Sequence, residues 1–355
     1  MRYWHYISAL VCTAMMAACS DSDSQGGKTD ELEEGRIGFT MSVKTRSVFS
    51  GTEFPTTEAF GVWAWEEGET QPFIAGDAVR YRDDLGAWST DARYIWPRGN
   101  ITFCAVYPAS MAFDADSRTV AYTVPASTAS QTDILYDMLT TSKGDEKVMY
   151  NSVRRYSVPI KFRHALSQIA FRGRIKEENQ DWTVDISDLT LCNVASQGVF
   201  SLSTGTWGSI TGLQDYSIGM NSSTGSLTYG STAYEAADLT AADGSLLLIP
   251  QQLYPWDADS NVASQDGAYI AVTCHIYNNV SSLFGTDASH ITVYVPFDNS
   301  GSPWEPGRKY VYTLNFGAGL DANGKSHQEP IEITTEITDW TEGTGGDLDA
   351  EMTHE

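Results

Sequence analysis

The sequence predicts an all-β protein built as two β-sandwich domains in tandem. From Phe60 onward it is a succession of short runs in which apolar and polar residues alternate, separated by clusters of Gly, Pro, Asp and Ser. Period-2 alternation between turn-forming residues is the pattern of strands with one face in a core. No run with helical periodicity exceeds about three turns. The third observation is a shift in composition: the stretch between Thr140 and Tyr156 is polar and charged in a chain of 355 residues, a length that accommodates two or three domains with sizeable cores. The boundary is therefore placed at its end, giving one domain over 36–156 and a second over 157–345.

In chain order, Arg2, the apolar run from Tyr6 to Met16, and Ala17 and Ala18 ahead of Cys19 have the form of a secretory signal over 1–18. The apolar run is too short to span a membrane as a helix. The segment MMAAC resembles a bacterial lipobox, with Met16 where Leu is usual, so Cys19 is the expected site of acylation. The alternative is an ordinary signal peptide with an incidental cysteine. Residues 19–35, polar and acidic, read as a flexible leash. Then Ile37, Phe39, Met41 and Val43 alternate with Gly38, Thr40, Ser42 and Lys44, an early strand that runs into two basic residues, Lys44 and Arg46.

Within the first domain, Phe60, Val62 and Ala64 share one face of FGVWAW, and Trp63 and Trp65 share the other. ITFCAVYP groups Ile101, Phe103, Ala105 and Tyr107 and stops at Pro108, which cannot donate to a ladder. The second domain is expected to open with Val158, Ile160, Phe162 and His164, followed by Ile169, Phe171 and Ile175 with Arg172 and Arg174 turned outward. The same logic groups Ile270, Val272, Cys274 and Ile276; Ile291, Val293 and Val295; and Tyr310, Tyr312, Leu314 and Phe316. Thr211 to Thr240, rich in Ser, Thr and Gly, is the longest stretch with weak strand signal. The last strand carries Ile331, Ile333, Thr335 and Ile337 on one face, and residues 346–355 form an acidic tail.

The net charge of -24, with 22 Lys and Arg against 46 Asp and Glu, excludes a phosphate-binding surface and hence nucleic acid. Cys104, Cys192 and Cys274 each sit in a strand-like run without a C-x-x-C, so they read as buried hydrophobes. His164, His275, His290 and His327 are scattered singly, and no hydrolase, zinc or nucleotide motif is present. The expectation is no enzyme, no cofactor and no metal. Asp114–Asp116, Asp257–Asp259 and Asp321–Gly324 lack the Glu of a calcium loop and read as polar turns. Trp256 and Trp304, in Pro-flanked turns, are candidates for glycan contact, although burial is the commoner fate of a large aromatic.

A longer series of motifs follows the early strand: YIWP (Tyr94 to Pro97), ITFCAVYP, DILY (Asp133 to Tyr136), FRHALSQIAF (Phe162 to Phe171), LLLIPQ (Leu246 to Gln251) and a final strand ending in Asp339 and Trp340. With the lipobox, their order over about residues 36 to 342 resembles the fimbrillin family, the type V pilins of Bacteroidetes. The resemblance implies two transthyretin-like β-sandwich domains, export as a lipoprotein anchored in the outer membrane through Cys19, and release of the first strand by proteolysis before assembly into a fimbrium. Cleavage would fall between Arg46 and Ser47.

The energetics fit that scheme. A buried aliphatic or aromatic side chain contributes about 1.5 to 3 kcal/mol, so losing Ile37, Phe39, Met41 and Val43 together would remove on the order of 6 to 12 kcal/mol, comparable with the stability of a whole domain. The vacated groove needs refilling. Ile331, Ile333, Thr335 and Ile337 of a neighbouring subunit have matching spacing for head-to-tail strand addition. Partners are then other pilin subunits and a host or bacterial surface ligand. The residue chemistry alone also admits a first strand that stays and a last strand that completes its own sandwich. The alternative function is a monomeric glycan-binding surface lipoprotein.

Overall fold

The computed structural model describes residues 35–43, 54–150, 155–176, 181–222, 226–228, 236–242, 244–256, 267–299, 301–317 and 331–339. The described chain is all-β, with a single 3-10 turn at Thr128–Ser130. Its first half holds β1 (Arg36–Val43), β2 (Ala59–Glu66), β3 (Ile74–Arg82), β4 (Ala87–Thr90), β5 (Ile101–Tyr107), β6 (Phe113–Asp114), β7 (Thr119–Thr123), β8 (Leu135–Thr141), β9 (Met149–Tyr150) and β10 (Arg155–His164). Then come β11 (Ser167–Ile175), β12 (Trp182–Ser201), β13 (Thr206–Ser217), β14 (Ser226–Thr228), β15 (Ala237–Asp238) and β16 (Leu246–Leu248). The last are β17 (Tyr269–Asn278), β18 (Ser282–Phe284), β19 (Ile291–Pro296), β20 (Arg308–Phe316) and β21 (Ile331–Asp339).

In the first sheet the strand order is β1-β4-β3-β2-β5-β8-β10-β9, and β1 also pairs with β10, so seven strands form a closed circuit of pairings. Closure leaves β1 without an open edge. The second sheet runs β15-β11-β20-β21, with β16 also on β11, and β11 lies parallel to β20. The third is organised on the 20-residue β12, which pairs with β17, β7, β13 and β14. Antiparallel connections predominate, as the short turns of the sequence require.

Two cores divide the apolar residues, and strands β2 and β5 serve both. Phe60, Val62 and Ala64 of β2 join Phe103 and Ala105 of β5 in the first core, with Ile37, Phe39, Val158, Ile160 and Phe162. Trp63, Trp65, Cys104 and Val106, on the opposite faces of the same strands, enter the second core with Phe171, Leu191, Ile270, Tyr312 and many others. A strand buried on both faces cannot show polar alternation, which is why FGVWAW is apolar throughout. Trp63 packs on Phe113, 4.3 Å between centroids. Its ring lies across Gly76, where a Cβ would come within 3.1 Å, and Gly76 takes φ +89° at the bulge opposite Val62 and Trp63.

Three expectations change. β10, read from sequence as opening the second domain at 157, pairs with β1, β8 and β9 in the first sheet and packs in the first core. The polar stretch ahead of it carries β9, which pairs with β10 in the same sheet. β6 and β7, from the first half of the chain, pair in the third sheet against β12. The Ser/Thr/Gly-rich stretch from 211 contributes the rest of β13 and the short β14 and β15. By contrast, Ile270, Val272, Cys274 and Ile276, and Tyr310, Tyr312, Leu314 and Phe316, are buried as their alternation predicts, whereas Ile291 of β19 is exposed.

Candidate functional site: the seats of the first and last strands

β1 lies parallel to β10 over its full length, from Arg36 opposite Arg155 to Val43 opposite Phe162, and meets β4 where Phe39 faces Trp88. Its entry is fixed by the YIWP motif. The Ile37 N–H donates to Tyr94 O at 2.9 Å, and the Trp96 N–H donates to Gly35 O at 2.8 Å. Tyr94 is itself held by its hydroxyl, which donates to Asp77 Oδ2 at 2.7 Å, and burial together with that carboxylate pushes its pKa up to about 12. Ile37 and Phe39 are buried, with Phe39 edge-on to Phe60 and Phe103 at 6.0 and 6.3 Å. Met41 is half-buried against the same core. The Val43 side chain, and Cys19, Arg46 and Ser47, lie outside the described residues. Two fully buried side chains correspond to about 3 to 6 kcal/mol, half of what four would contribute.

β21 is placed differently. Among the described residues it pairs only with β20, antiparallel from Ile331 opposite Phe316 to Asp339 opposite Arg308, and forms the edge of its sheet. Ile331 is buried and Ile333 half-buried, but Thr335 is exposed and Ile337 is 42% exposed. The last strand thus completes its own sheet in this chain while half of its apolar comb faces solvent.

The remaining motifs tie the cores together. The DILY and FRHALSQIAF segments meet where His164 Nδ1 lies 2.7 Å from Asp133 Oδ2 with both side chains buried, and where the Ala165 N–H donates to Ile134 O at 2.8 Å. His164 is a core histidine paired with Asp133. LLLIPQ supplies β16, which pairs with β11, and Gln251, whose amide closes two hydrogen bonds with the Ala195 backbone. Arg172 and Arg174 turn outward, Arg172 Nε donating to Asp238 Oδ1 at 2.7 Å and Arg174 bonding Asn315.

The three cysteines are free and buried, and burial raises each thiol to about 12, with the Asp215 carboxylate a secondary cause at Cys192. Asp114 heads a turn, its carboxylate accepting from the Asp116 and Ser117 N–H groups, which holds its pKa below the usual range. The other two Asp-rich turns lie outside the described residues. His275 sits between Ser282 Oγ at 3.0 Å and Asp287 Oδ1 at 3.1 Å, but its ring is buried and stacked on Tyr277 in a surface hairpin.

Trp256 and Trp304 are buried at 8% and 3%. Trp304 Nε1 donates to Tyr312 at 2.8 Å, and Trp256 packs on Tyr269 and Tyr294. Neither ring presents a free face, because both fill the second core or its margin. The aromatic that sequence reasoning passed over is Tyr254, 66% exposed, two residues before Trp256. It borders a concavity of about 330 Å³ with Leu213, Ile210, Asn193 and Gln252.

Comparison with solved structures finds the same fold in a fimbrial protein from Bacteroides vulgatus, with 16% identity, a TM-score of 0.56, and coverage of 86% of this chain and 100% of that one. Two proteins assigned to cell adhesion also match over most of both chains. One, from Parabacteroides distasonis, has 10% identity, a TM-score of 0.49 and coverage of 86% and 99%. The other, from Bacteroides uniformis, has 12%, 0.47 and coverage of 86% and 100%. No curated protein matches the sequence. The profile described as fimbrillin-like matches residues 45–340, from just behind β1 to the end of β21, and the chain belongs to that family.

Proposed function

We propose that the protein is the surface-exported precursor of a pilus subunit or pilus-associated adhesin, held in the outer membrane through acylated Cys19 and activated by proteolysis after Arg46. On this reading cleavage frees β1, and the last strand of a neighbouring subunit enters its seat. The carrying observation is the contrast between an apolar seat with pairing groups on both sides and a last strand at an open edge with Thr335 and Ile337 exposed. Vacating the seat uncovers the β1-facing edge of β10 from Arg155 to Phe162 and the Trp88 side of β4, a state prone to strand addition. Donor and acceptor are different surfaces, so the contact repeats head to tail without closing. Family membership supports a role in fimbriae, and the cell-adhesion assignments of the structural neighbours are compatible with an adhesin.

The fold is further proposed as two transthyretin-like sandwiches, one around each core, with the division near the His164–Ala165 turn and not at 156. The test is treatment of the chain from Cys19 with an Arg-specific protease, followed by N-terminal sequencing and sizing. The expected result is a new terminus at Ser47 and higher-order species, both lost in Arg46→Ala. An intact chain, or a cleaved one that stays monomeric, contradicts the reading. A monomeric glycan-binding lipoprotein is the second reading, and the exposed Tyr254 beside a concavity is the observation that favours it.

A further inference from the structure

We infer that the concavity beneath Tyr254 is a binding site for a neutral saccharide. It opens where β12 breaks register with β13 between Leu191 and Val194, and bulges at such points redirect side chains out of the ladder. Asn193, in the break, takes a left-handed φ of 59°. Its N–H donates to Asp215 Oδ1 and its Nδ2 to Gly267 O, each at 3.0 Å. The gap left in the ladder is walled by Ile210 and Leu213 on β13 and by Gln252 and Tyr254 after β16.

The opposite wall is rigid. The Leu253 N–H donates to Asn299 Oδ1 at 2.6 Å, the Ala268 N–H to Tyr254 O at 2.8 Å, and the Trp256 N–H to Ala268 O at 3.0 Å. Backbone on both sides of Tyr254 is therefore clamped while the residue is 66% exposed, beside a site whose other rim, Leu213, is 58% exposed. A large aromatic held out on a fixed support loses little freedom when a ligand arrives.

Chemistry selects the ligand class. The volume of about 330 Å³ is at the lower end of small-molecule sites, roughly 300 to 1,000 Å³. Among the described residues, no Asp, Glu, Lys, Arg or His lines it, in a chain with 46 carboxylates and 22 Lys and Arg. A charged ligand would lose hydration there without a counter-charge, and an anion would also meet the field of the -24 net charge. What the walls offer is one aromatic residue, the aliphatic side chains of Ile210, Leu213 and Leu253, and an exposed amide at Gln252. A sugar ring has the matching surface, with a C–H face for Tyr254 and Leu213 and hydroxyls for amide and backbone groups. This deepens the adhesin reading, but it does not depend on strand exchange.

The test uses the unprocessed full chain produced without lipid, so its outcome is separate from that of the protease experiment. Saturation-transfer NMR is run with glucose, galactose, mannose, fucose, N-acetylglucosamine, N-acetylgalactosamine and lactose, with sialyllactose as the charged comparison. The expected result is transfer to the ring protons of at least one neutral sugar. Tyr254→Ala and Gln252→Ala should each weaken it about tenfold, with the unfolding midpoint unchanged. Tyr294→Ala, on a ring that contacts Trp256 outside the concavity, should leave it within about twofold. Transfer to none of the neutral sugars, transfer undiminished in Tyr254→Ala, or stronger transfer to sialyllactose than to lactose would each overturn the assignment. So would self-association of the chain through this face, abolished by Tyr254→Ala in the absence of any sugar.

Discussion

β1 and β21 share an alternating apolar pattern and nearly the same length, yet they are held in opposite ways. β1 sits inside a closed circuit with a partner on each side, and its Ile37 and Phe39 are in the core. Among the described residues β21 has one partner, and its exposure grows from Ile331 to Ile337. The difference teaches that a period of two fixes which residues share a face but not whether that face is covered. Coverage depends on what the rest of the chain brings, here β4, β10 and the YIWP segment in one case and β20 in the other.

The comparison can be broken by substitution. Phe39→Ala removes a ring packed on Phe60 and Phe103 and should destabilise the chain by about 3 to 5 kcal/mol, read from urea unfolding. Within β21 the same truncation should split by position. Ile331→Ala, at a buried site, should cost about 2 to 5 kcal/mol, whereas Ile337→Ala should stay within about 0.5 kcal/mol. Equal effects at the two ends would mean that the outer half of β21 is covered after all. Amide exchange sharpens the contrast without mutation: N–H groups of β1 should exchange more slowly than those of β21 that face away from β20, because only the former are paired on both sides.

A further effect, confined to alkaline pH, falls on neither strand. Cys104, Cys192 and Cys274 have thiols raised to about 12, against about 8.5 in an unfolded chain. The folded chain keeps protons that the unfolded chain sheds, so this contribution is fully present below about pH 8.5 and is lost as the pH rises toward about 12. Urea midpoints measured from neutral to alkaline pH should fall across that window, and Cys104→Ala should fall less steeply.

Much of the fold was legible because it rests on alternation. Ile270 to Ile276, Tyr310 to Phe316 and the two-faced FGVWAW all read correctly from spacing alone. The boundary at 156 did not, since a polar stretch marks a connection without saying which sheet the next strand joins, and β10 joins the sheet behind it through parallel pairing with a strand more than a hundred residues earlier. The aromatic turn Tyr254-Pro255-Trp256 was misweighted for a similar reason. Both rings fit an exposed or a buried role, and it is contact with Tyr269 and Tyr294, distant in sequence, that draws Trp256 inward and leaves Tyr254 outside.

In the proposed assembly the seat of β1 accepts the sequence of β21. The direct measurement is titration of a labelled peptide spanning residues 331–339 against the intact chain and against the chain cleaved after Arg46. Saturable binding to the cleaved chain is expected, weakened when Ile333 and Ile337 of the peptide are replaced by Asp, with no binding to the intact chain. Equal binding to both forms, or none to either, would contradict it.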